Sequence, residues 1–176
     1  MLFDITTFTV IHVVLSVVAI CAGLVVVGGL MSGQRLDGWT GLFLATTVLT
    51  NVTGFMFPFT TFIASHGVGI VSLVVLPVVI AARYWKQLAG VWRSIYVVGA
   101  VLVLYLNVFV LMVQLFRRVP ALLVSAPTQS EPSFLVTQVL VLALFVALGI
   151  AANRSFQPQL VVQAMKVPAS AGVASR

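Results

Sequence analysis

Long apolar runs separated by short polar joints organise this chain. Five runs approach the length of about 20 residues that a helix needs to cross a bilayer. They extend from about Thr7 to Met31, Trp39 to Phe59, His66 to Ala82, Ser94 to Phe116 and Phe134 to Ala152. Only six residues, Thr60 to Ser65, separate the second run from the third. Pro58 favours a break there, so a tight helical hairpin is expected. Pro120, Pro127 and Pro132 prevent a continuous helix through Val119–Ser133, which reads as the longest outer loop. The predicted fold class is all-α, a transmembrane helix bundle of five spans over residues 1–156. Residues 157–176, rich in small side chains, are expected to form a flexible cytoplasmic tail.

Composition leaves no soluble alternative. Hydrophobic residues make up 61% of the 176 positions and charged residues 7%, against about 25% charged in a soluble domain. The mean hydropathy of +1.21 agrees. A water-facing surface cannot be built from so few charges, so lipid must solvate most of the exterior. The first run reads as a retained span rather than a cleaved signal: residues 1–8 contain Asp4 and no basic residue, and the run is too long for a signal core.

Charge then sets a direction. Cytoplasmic loops of membrane proteins carry an excess of Lys and Arg. With the N-terminus outside, Arg35, Arg83, Lys86, Arg93, Arg154, Lys166 and Arg176 fall inside, seven of the nine basic residues. Arg117 and Arg118 fall outside, with Asp4 and Glu131. Trp39, Trp85 and Trp92 gather at the same inner interface, where amphipathic rings settle at headgroup depth. The predicted topology is N-terminus outside, C-terminus cytoplasmic.

Several function classes drop out. The net charge of +6 is spread as single and paired residues, so no basic face exists to displace counterions from nucleic acid. Cys21 is the only cysteine, which excludes an internal disulfide and dithiol redox chemistry. No nucleophile elbow, P-loop, HExxH or dinucleotide turn occurs, and no buried carboxylate completes a triad. The reading leans away from an enzyme and from a dedicated metal site.

What chemistry remains lies in polar groups at membrane depth, which are costly there. By the helical rise, His12 is about 8 Å below the outer surface, and Asn51 and Thr53 are about 8–12 Å from the outer end of the second span. Gln114 and Gln138 sit within about two turns of the outer ends of theirs. Asn107 shares a face with Ala100 and Gln114, which Arg118 extends outward. Glu131 stands in the outer loop, where an Arg118–Glu131 pair could close a cavity or bind an anionic headgroup. Asn51, Thr53, Asn107, Gln114, Arg118, Glu131 and Gln138 are therefore the candidate lining of an outward-opening ligand pocket. His12 and His66 lie on different spans near one face, as the axial ligands of a b-type haem would.

The runs GWTGLFLATTVLTNVTGF (38–55), SHGVGIVSLVVL (65–76), IYVVGAVLVLYLNVFVLMVQ (95–114) and APTQSEPSF (126–134) resemble small polytopic bacterial inner-membrane proteins with no assigned function. The resemblance implies a multi-pass location in the bacterial inner membrane and transfers no activity and no binding residues. Three readings follow. The first is a non-catalytic binding or accessory subunit, embedded in the lipid bilayer, with a small-molecule or lipid ligand in that pocket and a homo-oligomeric form open to it. The second is a b-type haem or quinone-reactive electron carrier using His12 and His66. The third is a small transporter or channel whose path Asn51, Asn107 and Gln114 would line.

Overall fold

The computed structural model describes residues 5–57 and 64–157. The C-terminal tail from residue 158 and the hairpin joint 58–63 lie outside the described residues. So do Asp4 and the side chain of His66. Among the described residues the chain is helical throughout, with no strand.

Six α-helices follow in order: α1 (Ile5–Met31), α2 (Asp37–Phe55), α3 (Ala64–Ile80), α4 (Val91–Arg118), α5 (Pro120–Ser125) and α6 (Pro132–Ser155). A π-helical turn, Ala81–Trp85, continues α3 without a break. Four segments are long and apolar enough to cross a membrane: Thr6–Met31, Gly67–Trp85, Val91–Arg118 and Pro132–Ser155. The 19-residue α2 is more polar, with Asp37, five threonines and Asn51. The third span thus runs past the expected end at Ala82, and α4 begins before the expected Ser94.

The ends of these helices follow local chemistry. Gly33 closes α1 in the left-handed region at φ +69°. Its N–H bonds Leu30 O at 3.1 Å, and the Gln34 N–H bonds Gly29 O at 2.8 Å. This is the Schellman pattern, which satisfies carbonyls that the helix end leaves open. Leu36 then folds back on Gly29, where a Cβ would lie 2.6 Å from Leu36 Cδ1. α2 starts at Asp37, whose charge suits the positive end of the helix dipole. Pro120 opens α5 and Pro132 opens α6, each at a first-turn position where the missing N–H costs nothing.

α4 is the axis of the bundle. It packs against α1, α3, α5 and α6, while α2 lies on α1 and α3. Tyr96, Val97, Ala100, Val103 and Leu104 of α4 are buried, with Phe43, Leu76, Val79 and Ala19 from its neighbours. Glycine sets two close approaches. A Cβ on Gly23 would sit 2.6 Å from Leu104 Cδ1 and 2.8 Å from Phe43. One on Gly99 would sit 2.5 Å from Val79 Cγ2. Small residues at helix interfaces let backbones approach where no water is available to be expelled. Of the four membrane-length helices, α6 is the least enclosed, and Leu135, Val136, Val139, Leu140, Leu144 and Ile150 all face outward from it.

Candidate functional site

One end of the bundle holds α1's start, α2's end and α6's start. There, His12 on α1 meets Thr53 on α2, with Nδ1 2.8 Å from Oγ1. The Thr53 hydroxyl also lies 2.7 Å from Leu49 O and donates to it. A hydroxyl has one proton, so Thr53 must accept from His12. That fixes the Nδ1–H tautomer of neutral His12 and leaves Nε2 as a bare lone pair. Phe57 stands edge-on to the imidazole at 5.2 Å between centroids, and Phe8 packs on Phe57 at 4.9 Å. Gly54 packs beside the ring, where a Cβ would make ordinary contact with His12 Cε1 at 3.5 Å. Further along the same face of α1, Ala19 and Gly23 are buried, and Ser16 Oγ donates to His12 O at 2.8 Å.

One turn deeper, Asn51 Nδ2 donates to Thr47 O at 2.8 Å and to Ser72 Oγ at 3.1 Å. The second bond ties α2 to α3. Phe55 fits against Gly69, where a Cβ would be 3.0 Å from its ring. Gln138 on α6 is buried and donates from Nε2 to Phe109 O on α4 at 3.5 Å, while its buried Oε1 has no partner among the described residues. Asn107 donates to Val103 O of its own helix at 3.3 Å. Gln114 is half-buried and makes no side-chain hydrogen bond among the described residues.

The outer loop also differs from the expected pairing. Arg118 ends α4, exposed, and no ion pair joins it to Glu131. Glu131 turns instead to its own loop. Its Oε1 accepts the Thr128 N–H at 3.1 Å and the Thr128 hydroxyl at 2.9 Å, and its Oε2 accepts the Ser130 N–H at 3.1 Å. Slight desolvation pushes the Glu131 pKa up, but these donors, Thr128 first, outweigh it and hold the carboxyl below the ordinary carboxylate value. Gln129, left-handed at φ +62°, pins the loop to α4 through Val113 O at 3.1 Å. The candidate polar groups thus meet in separate pairs, His12 with Thr53 and Asn51 with Ser72. No hydrogen bond joins Asn51, Asn107 and Gln114.

The opposite end carries a cluster that the sequence reading missed. Arg83 was expected to mark a cytoplasmic loop. It lies instead in the π turn, 2% exposed, and donates to Asp37 Oδ1, which Arg35 Nε also meets at 3.0 Å. Its guanidinium carbon is 5.3 Å from the Tyr96 ring centroid, and the Tyr96 hydroxyl lies 3.3 Å from Thr40 Oγ1. Among the described residues, the buried Arg83 Nε has no hydrogen-bond partner. The available signal was Asp37, an acid between two arginines in a chain with three acids in all.

Clefts among the described residues include two of note. One of about 320 Å³ lies between α4 and α6, lined by Val98, Val101, Leu102, Tyr105, Leu142, Phe145, Val146, Gly149, Ile150 and Asn153. One of about 440 Å³ lies along α2 and the end of α3, at Gly41, Leu44, Ala45, Val48, Leu49, Ile80 and Tyr84. None of the residues expected to line a pocket borders either cleft. Among the described residues, no three His, Cys, Asp or Glu side chains gather as a metal-binding group. Comparison with protein-family models, curated proteins and solved structures finds no match to this chain.

Proposed function

We propose that the chain is a five-span, non-catalytic protein of the bacterial inner membrane, N-terminus outside, that serves as a small binding or accessory subunit. Its ligand would enter from the outer face beside His12. The observation that carries this reading is the His12–Thr53 bond, because it presents Nε2 as a fixed acceptor near the mouth of the bundle. A ligand hydroxyl or amide would bond there without any rearrangement of the imidazole. The count of five rests on α2: its 19 residues reach about 28 Å, and its ends are bonded to opposite ends of the bundle, at Tyr96 and at His12. The direction rests on Arg35, Arg83, Lys86, Arg93 and Arg154 sharing one end.

Native mass spectrometry of the protein released from membrane nanodiscs tests the site. A small molecule or lipid bound to the unaltered chain and lost in His12→Leu is the expected result. Identical bound masses in both would remove the site.

The electron-carrier reading stands second, and one observation favours it. Metal-ligating histidines usually have their other ring N–H held by an acceptor, as Thr53 holds His12. His66 would have to supply the second axial nitrogen. Protein purified from haem-replete cells would then show a Soret band that His12→Ala abolishes. A colourless preparation rules it out.

A further inference from the structure

We infer that the trough between α4 and α6 is a binding site for one anionic phospholipid, with an acyl chain along the trough and the phosphate at its Asn153 end. This site is at the opposite end of the bundle from His12 and does not depend on the ligand proposed there.

The walls fit an acyl chain. Val98, Val101 and Leu102 of α4 face Phe145, Val146 and Gly149 of α6 across a groove of about 320 Å³. Gly149 forms part of its floor, with nothing nearer to a Cβ position than Val101 Cγ1 at 3.5 Å. The groove opens sideways between two membrane-length helices, so its occupant arrives from the bilayer rather than from water.

The Asn153 end is polar, and two arginines stand near it. Asn153 lines the groove, and among the described residues its buried Oδ1 has no hydrogen-bond partner. Turned toward the groove, this unmet acceptor would take a donor such as a headgroup hydroxyl of phosphatidylglycerol. Arg93, at the start of α4, donates to Asn153 O at 2.8 Å and to Phe156 O, capping the end of α6. Arg154 follows Asn153 and is exposed. Among the described residues no carboxylate pairs with Arg93 or Arg154, since Asp37 is taken by Arg35 and Arg83 and Glu131 is at the far end. Uncompensated basic side chains beside a groove between helices are the charge complement of a lipid phosphate.

Arg93 also holds the end of α6, so replacing it would confound folding with binding. Gly149→Leu and Arg154→Gln separate the two. The leucine roots in ordinary van der Waals space and fills the trough, and Arg154 is exposed. The measurement is lipid binding by native mass spectrometry, with phosphatidylglycerol or phosphatidylcholine titrated into the detergent-solubilised full chain. Circular dichroism confirms that each variant stays helical. Phosphatidylglycerol should bind with one-to-one stoichiometry and phosphatidylcholine much more weakly. Gly149→Leu should abolish the preference, and Arg154→Gln should weaken phosphatidylglycerol by roughly fivefold, the worth of one basic side chain at a headgroup. Equal binding of both lipids, or a folded Gly149→Leu that keeps the phosphatidylglycerol preference, overturns the site. A Gly149→Leu variant that instead converts a dimer to a monomer assigns the trough to a second copy of the chain and overturns it as well.

Discussion

Arg83 and Asp37 form an ion pair that is buried on one side only. The guanidinium side chain is 1% exposed, whereas the carboxylate side chain is 69% exposed. The cation therefore carries most of the desolvation cost. Tyr96 offsets part of it through its ring face, but among the described residues Nε has no partner. Removing the carboxylate would leave a buried charge unpaired, which costs about 3 kcal/mol or more. Asp37→Asn should accordingly lower thermal stability far more than a surface substitution would. Adding Arg83→Met should recover much of the loss, because an apolar side chain of similar length fills the same space without a charge to solvate. Melting temperatures of the single and double variants in one detergent would check this, and a double variant no more stable than Asp37→Asn would refute it.

The path of α2 can be read from outside. In a Cys21→Ala background, a cysteine at Ser32 and one at Met56 should label from opposite sides of the membrane with an impermeant maleimide. Met56 should react in intact cells and Ser32 only after lysis. Labelling of both from one side would make α2 an interfacial or re-entrant segment and reduce the span count to four.

Glu131 makes the outer loop acid-sensitive. Its folded-state pKa is depressed, so the order it gives is full above the ordinary carboxylate value and fades as pH falls through the depressed one. Hydrogen exchange at the Thr128 and Ser130 amides should quicken at acid pH, after correction for the intrinsic rate. Glu131→Gln should exchange quickly at neutral pH too. A loop equally protected on both sides of that range would contradict the assignment.

At Gly23 and Gly99 any added Cβ would force neighbouring side chains to shift. Gly99→Leu should displace Val79 and cost about 1–3 kcal/mol, as overpacking does. Gly28, with open space at its Cβ position, should accept alanine with little change. Urea-dependent or thermal unfolding in detergent would separate the pair, and equal stability of the two variants would show that the close contact is unimportant.

How the chain folds was largely legible in its apolar runs. The apolar cores of α1, α4 and α6 follow from length and hydropathy. The places of His12 near the start of α1 and Thr53 near the end of α2 were legible too; their bond was not, because position along a helix does not say which helices are neighbours. Arg83 shows a harder limit. Charge counting treats each basic residue as a marker of the water phase, but a partner 46 positions away and an aromatic face can draw one inward. The short α5 was missed for another reason: Pro120 was weighed as a helix breaker, although at a first-turn position it is a helix starter. Asn107 and Asn51 look alike in sequence, yet one bonds its own helix and the other also bonds a neighbour, which only side-chain packing decides.

The turn at Ala81–Trp85 is wound more loosely than its surroundings, and Lys86 N–H returns to Ala81 O, five residues back. Tightening it by deleting a single residue would restore regular spacing and, at about 100° per position, swing the guanidinium through more than a quarter of a circle. The more regular helix would then turn the guanidinium away from the Tyr96 ring and leave Asp37 with Arg35 alone. An irregularity in the winding thus helps seat this cation between an acid and an aromatic face.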